Sequence, residues 1–448
     1  MNKILILGYV WPEPRSSAAG SRMMELITLF RAQNWEVLFA SAAALSEHRA
    51  DLAALGVAKK SIALNCATFD SFIAAYQPDM VLFDRFFTEE QFGWRVEAIC
   101  PDALRVLDTT DLHSLRDARH QLLKATQHHY RNEAERYQAS PVLASPEALR
   151  GEMGGTHGNQ GIAQREIAAI YRCDLTLMIS DAEINLLQQQ FGVPAMLLHH
   201  CALMLMPSSA AHQARPTFEQ RAHFFSIGNF RHAPNWDAVL WLKHALWPKI
   251  REQLPDAQLH VAGSYPPPKA TALHHPKQGF HVVGWVADAH QAMLQARVCL
   301  APLRFGAGIK GKLADAMACG TPNVTTAIGC EGMQGDLPWG GAQADDAVSF
   351  ANAAVALYRD QALWQQAQAN GDRILQLRFD RDVIAAALLD RLQEAYQQRA
   401  AGRQANFVGS MLRHHHHKST QYMSQWIAAK NQLLALEPVA PDQADNAG

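Results

Sequence analysis

Ala301–Gly332 reads APLRFGAGIKGKLADAMACGTPNVTTAIGCEG. Val298, Leu300 and Leu303 belong to an apolar run, the pattern of a strand buried on both faces in a parallel sheet. A glycine turn follows, Gly306-Ala307-Gly308, and then Lys310 and Lys312. Leu313, Ala316 and Met317 recur at helical spacing up to Cys319. Gly320 and Pro322 stop that helix, and Val324-Thr325-Thr326 starts another strand. Strand, glycine turn, helix, strand is a βαβ unit whose loop leaves the carboxyl end of a strand, where open α/β sheets bind ligands. Glycines let backbone N–H groups approach a phosphate, and the following helix aims its positive end at it. Lysines at that end oppose the helix dipole, so two of them point to a bound anion. The alternative is an ordinary connection with solvated lysines.

Working outward, the 448 residues have room for two or three domains. An apolar content of 48% and a charged content of 18% describe a soluble globular chain. The net charge of −2 lacks the basic excess of a nucleic-acid binder. Seven scattered cysteines, without a C-x-x-C pair, fit buried thiols in a reducing, cytoplasmic setting. The apolar run of Met1–Gly8 is too short for a signal peptide and reads as a first strand. No apolar run is long enough for a transmembrane segment, although the cluster Arg413–Lys418 leaves room for peripheral membrane contact.

Toward the N-terminus, Ile4–Leu7 and Val37–Ala40 read as strands around a helix that starts near Ser21. No G-x-G-x-x-G is present, so no dinucleotide cofactor is expected. The strands Met80–Phe83 and Leu104–Leu107 follow. Asp108, Asp111, His113 and Arg116 lie just past the second of them, at a ligand-binding sheet edge. A strand over Leu175–Ile179 leads into Ser180-Asp-Ala-Glu183, which reads as a helix capping box with no chemistry of its own. Pro207–Glu219 is the domain boundary by composition. Beyond it come the strand Phe224–Ile227, a helix Trp236–Leu254, and strands at Leu259–Ala262, Phe280–Val283 and Val298–Leu303, a second doubly wound pattern. Asp345–Arg359, Gln361–Leu375 and Asp380–Arg399 are helical, and Thr420–Leu436 is a weakly amphipathic helix. Gly151–Gly161 reads as a glycine-rich loop and Pro438–Gly448 as disordered. The histidines 414–417 lack a carboxylate or cysteine at ligand spacing, so no metal site is expected.

Several of these elements in fixed order resemble the retaining glycosyltransferases of the GT-B fold, in the large group called family 4. They are Gly306, Gly308, Lys310, Asp315-Ala-Met-Ala318, Gly320, Pro322 and the turn Gly329-Cys-Glu331-Gly332. The resemblance covers 224–332 best and 1–200 more loosely. It implies an α/β architecture of two Rossmann-like parallel-sheet domains facing a cleft; the helical C-terminal tail lies outside the resemblance. The acceptor-side domain would span 1–206, a linker 207–222, the nucleotide-sugar domain 223–379, a returning helix 380–402 and the tail 403–448. On the donor side it places Lys310, with Lys312, at the diphosphate and Asp315 at the ribose, with Gly228 and Asn229 lining the cleft and Arg231 opposing phosphate with Lys310. On the acceptor side it places Gly20, with Asp111 and His113 beside the transferred sugar. The chain departs from the family pattern in having Asp315 where Glu is usual and Ala307 where many members carry a second Glu.

The implied activity is transfer of a hexose-type unit from a nucleotide diphosphate sugar to an acceptor hydroxyl, with retention and with no metal or cofactor. The acceptor stays open between a saccharide, a lipid-linked glycan and a protein. Two alternatives accompany this reading: a non-catalytic nucleotide-sugar-binding or scaffold protein, and a sugar-nucleotide epimerase using Asp111 and His113 as acid and base.

Overall fold

A computed structural model describes residues 1–127, 130, 133–138, 161–205 and 215–436. Most of the expected loop 151–161, the first half of the expected linker 207–222 and the tail from 437 lie outside these residues. The strands are β1 Lys3–Gly8, β2 Glu36–Ser41, β3 Ala58–Ser61, β4 Met80–Asp84, β5 Leu104–Asp108, β6 Leu175–Met178 and β7 Leu198–His200. They continue as β8 Ala222–Ile227, β9 Leu259–Ala262, β10 Phe280–Gly284, β11 Ala296–Ala301, β12 Asn323–Thr325 and β13 Gly341–Gln343. They form a seven-stranded sheet, β3-β2-β1-β4-β5-β6-β7, and a six-stranded sheet, β10-β9-β8-β11-β12-β13. Every pairing between these strands is parallel.

Central strands are apolar at nearly every position because helices cover both faces. Ile4 to Leu7 of β1 and Met80 to Phe83 of β4 are all buried. The strands that escape a sequence reading, β3, β7 and β13, all lie at sheet edges. There one side has no neighbour and the apolar run is lost; all four residues of β3 are exposed. The expected helix Trp236–Leu254 is built in three pieces: Ala233–Trp241, a π-turn over Leu242–Leu246, and Trp247–Gln253. Pro248 has no N–H to give to the preceding turn, so the ladder changes register where the proline enters.

In each sheet the order in which strands are added reverses at one crevice, between β1 and β4 and between β8 and β11. The loops after those four strands face one another. Helix Arg381–Ala405 then packs Ala385, Leu388 and Leu392 into the first sheet's core, against the same cluster as Ile4, Leu82 and Val106. Each fully buried leucine there contributes about 1.5–3 kcal/mol. The chain therefore crosses from the second sheet back to the first.

Candidate functional site

The first wall of the cleft is made by the ends of β4 and β5. Asp108, at the end of β5, is fully buried and taken up by Arg22, whose Nε donates to it at 2.9 Å and whose Nη1 donates to the Cys201 carbonyl at 2.6 Å. Of the acidic group expected there, this member is structural. Arg85 (φ 70°) and Thr110 (φ 59°) hold left-handed backbone at the ends of β4 and β5. Non-glycine residues adopt that region at a cost. Beyond Thr110, Asp111 pairs with Arg116 and lies 3.5 Å from His113 Nε2.

His113 begins the helix His113–Gln127. The first amides of a helix have no partner within it, and here Glu166 accepts from His113 N at 2.9 Å, Ser114 N at 3.0 Å and Ser114 Oγ at 2.5 Å. The His113 ring meets Phe86 and Phe87 edge-on. Burial in this apolar setting, with the Arg85 charge adding to it, lowers the imidazole pKa to about 3. The side chain is therefore neutral at physiological pH.

The second wall is the loop after β8 and the loop after β11. Asn229 is fixed by its own turn, its Oδ1 accepting from Arg231 N at 2.9 Å. His232 precedes the helix Ala233–Trp241. Burial, and then the charges of Arg116, Lys312 and Arg85, bring its pKa to about 3. Lys312 Nζ donates to Asn235 Oδ1 at 2.7 Å, and burial lowers its pKa to about 8. Lys310 is also buried, which lowers its pKa, and its Nζ donates to the Gly308 carbonyl at 2.6 Å. Gly308 (φ +63°) sits against the first domain: a Cβ there would stand 2.8 Å from Asp111 Cβ. No other residue type meets both demands.

Two side chains of the first domain grip the glycine loop. Arg119 Nη1 donates to the Gly306 carbonyl at 2.8 Å and its guanidinium holds both Glu331 oxygens, at 2.6 and 2.8 Å. Burial opposes ionisation of Glu331, but Arg119 outweighs it and keeps that carboxyl below its ordinary range. Glu183 Oε1 accepts from Gly308 N at 2.6 Å, and burial raises its pKa. The capping-box reading of Ser180 and Glu183 is thus overturned. Ser180 makes no side-chain cap bond, and Glu183 reaches across the cleft instead.

Between the walls lies a cavity of about 160 Å³, lined by His113, Arg116 and His120 from one side and His232, Pro234 and Phe305 from the other. Phe305 stacks flat on His120 at 4.3 Å.

Of the residues expected at a site, the fold gathers Asp111, His113, Gly306, Gly308, Lys310, Lys312 and Glu331 around this cleft. The others have different surroundings. The Arg231 guanidinium lies 3.7 Å over the Tyr265 ring. Asp315 is half-exposed and faces His290 Nε2 at 3.3 Å, which raises the His290 pKa. A Cβ on Gly20 would collide with the backbone of Glu13, and one on Gly228 with the Asn235 side chain, so the close neighbours are the chain's own atoms.

Arg119, His120, Glu183, His232 and Phe305 escape the sequence reading. A signal for the helix did exist: His113, Arg116, Asp117 and His120 stand at i, i+3, i+4 and i+7, a polar stripe on one helical face.

Residues 221–360 match the family model described as Glycosyl transferases group 1. No curated protein matches the chain. Among solved structures, the chain is similar to Anabaena HepE in complex with UDP (TM-score 0.62, 14% identity, covering 88% of this chain and 100% of that one). Sucrose-phosphate synthase from Thermosynechococcus elongatus is similar too, at TM-score 0.60 and 16% identity, with 90% and 100% covered. A glycosyltransferase from Rickettsia africae has TM-score 0.61 and 9% identity, with 88% and 99% covered. Two facing doubly wound sheets with these likenesses make the architecture GT-B, with a second domain similar to that of group 1 glycosyl transferases.

Proposed function

We propose that the protein is a glycosyltransferase of family 4 type that moves a hexose unit from a nucleotide diphosphate sugar to an acceptor hydroxyl. The observation that carries this reading is the meeting of cations from both domains at the cleft, with Lys310 and Arg119 on the glycine loop itself. Lys310 and Lys312 come from the second domain, and Arg116 and Arg119 from the first. As the glycosidic bond breaks, the leaving diphosphate gains charge. Fixed cations and the start of helix Gly311–Ala318 stabilise that charge most in a dry, closed cleft. These side chains do the work a divalent cation would do, so the transfer is metal-independent on this reading, with retention as the resemblance implies. His113 and Asp111 lie against the transferred sugar on the acceptor side. The neutral imidazole can accept a proton, and a bound diphosphate, as a neighbouring anion, raises its pKa.

A cavity of about 160 Å³ is smaller than the roughly 300–1,000 Å³ typical of small-molecule pockets. On this reading the cleft widens to admit the donor and then recloses around it.

Thermal melting with UDP, GDP, ADP and CDP, each with and without a chelator, tests the reading. At about a hundredfold its dissociation constant a nucleotide adds about 2.7 kcal/mol of stability. We expect that shift for one base, and its loss in Lys310→Ala. Absence of a shift with every nucleotide, or a shift that Lys310→Ala retains, would refute the donor site; a shift abolished by the chelator would refute metal independence.

A further inference from the structure

Helix Phe407–Leu436 runs for 30 residues and lies outside the segment matched by the family model. Its inner face is held on the first domain. Asn406, just before it, donates to the Tyr171 carbonyl at 2.7 Å, and Gly409 packs so closely on that carbonyl that a Cβ would collide. Arg413 pairs with Glu97 at 3.0 Å, and Arg95 Nη2 donates to Ser424 Oγ at 3.1 Å.

The outer face is different. Phe407, Met411, Tyr422, Trp426 and Leu433 are 74, 46, 63, 61 and 65% exposed. At 3.6 residues per turn they fall within an arc of about 100°; Tyr422, Trp426 and Leu433 follow one another along it, and Lys418 stands in the same arc between them and Met411. Soluble monomers expose large apolar residues singly, and a contiguous stripe marks an interaction surface.

Charge decides what covers it. From Phe407 to Leu436 the sequence has no aspartate or glutamate, and it carries Arg413, Lys418 and Lys430, in a chain whose net charge is −2. Lys430 Nζ lies 5.4 Å over the Trp426 ring, placing a cation at the border of the stripe. Two copies of such a helix face to face would set lysine against lysine with no carboxylate on either to pair. An anionic bilayer supplies the missing negative charge together with an apolar layer. Among the described residues no helix is long and apolar enough to cross a membrane, so this one would lie along the surface.

We infer that the outer face of helix Phe407–Leu436 docks on an anionic phospholipid bilayer, with its aromatic stripe at the headgroup–acyl boundary and Lys418 and Lys430 at the lipid phosphates. The docking is independent of which sugar, if any, the cleft transfers.

Co-sedimentation of the full chain with vesicles tests it, using phosphatidylcholine alone and phosphatidylcholine mixed with phosphatidylglycerol. The wild type should sediment with the mixed vesicles, far less with neutral ones, and less as salt rises. Lys418→Gln and Lys430→Gln should each weaken binding about fivefold. Tyr422→Ser with Trp426→Ser should abolish sedimentation while leaving the melting temperature unchanged, since both side chains are exposed. The proposal is overturned if the wild type stays in the supernatant with mixed vesicles, if it binds both vesicle types equally, or if the aromatic variant sediments like the wild type. It is likewise overturned if analytical ultracentrifugation shows a dimer that the aromatic variant dissolves while no vesicles are bound.

Discussion

His113 shows how much the surroundings of a single residue decide. A histidine near a strand end can be a solvated surface group; here two phenyl rings and Arg85 hold it neutral, with a pKa of about 3. An imidazole whose folded pKa is depressed leaves the unfolded chain binding more protons between about pH 3 and 6.5, so its contribution to stability falls as pH falls through that window. From pH 7.5 to 5.5 the loss comes to about 1.4 kcal/mol. Glu25, whose carboxyl is raised to about 7 mainly by burial, acts in the opposite sense, so the net profile of the wild type mixes several groups. The difference between proteins isolates one. In urea melts at both pH values, His113→Gln should lose about 1.4 kcal/mol less than the wild type on acidification. Equal losses would mean that the imidazole titrates normally and is not desolvated.

Among elements, helix His113–Gln127 does the most to set the site. Its inner positions, Leu115, Ala118 and Leu123, are buried, and its polar stripe faces the cleft. Its start is locked by Glu166, which lies 53 residues further along the chain than His113 and satisfies two amides and a hydroxyl. Charge-assisted bonds of this kind contribute about 1.5–3 kcal/mol each, and a buried donor left unpaired costs more than the bond gains. Glu166→Ala should therefore destabilise the first domain by about 3 kcal/mol and reduce turnover by displacing His113. Glu166→Gln, which keeps an acceptor oxygen, should recover part of both. Denaturation of the two variants by circular dichroism, alongside activity, checks this; identical stabilities would show that the cap is dispensable.

For the whole molecule, the central question is how two sheets are held face to face. One set of contacts runs through the glycine loop, Arg119 to Gly306 and Glu331 and Glu183 to Gly308, and a second through the loop after β1, where Ser16 Oγ meets Ser264 Oγ at 2.8 Å and Tyr265 Oη donates to Glu13 at 3.2 Å. The returning helix Arg381–Ala405 keeps the halves joined whether or not those contacts form. Arg119→Ala should release the closed arrangement without unfolding either sheet. We expect a larger radius of gyration by small-angle scattering and a fall in kcat of about 10–100-fold, the scale of one misplaced positioning group. An unchanged radius with normal turnover would show that closure does not depend on this arginine.

Some of this architecture is written locally. Ile4–Leu7, Met80–Phe83 and Val298–Leu300 announce buried parallel strands because both of their faces must be apolar, and glycine and proline punctuate the turns between them. Edge strands such as Ala58–Ser61 carry no such mark, because an edge is defined by the neighbour it lacks. Lys310 and the glycines beside it are legible for the same local reason as the strands. Arg119 and Glu183 are not: Glu183 has the spacing of a capping box, and only the packing of one sheet against the other brings its carboxylate to the Gly308 amide, 125 residues away in the chain. Periodicity and turn chemistry over a few neighbouring residues determined the two doubly wound sheets and the glycine loop that precedes helix Gly311–Ala318. Contacts between residues far apart in sequence, set by how the two cores bury their apolar surface, decided which side chains share the cleft, which of them ionise there, and which helix face is left uncovered.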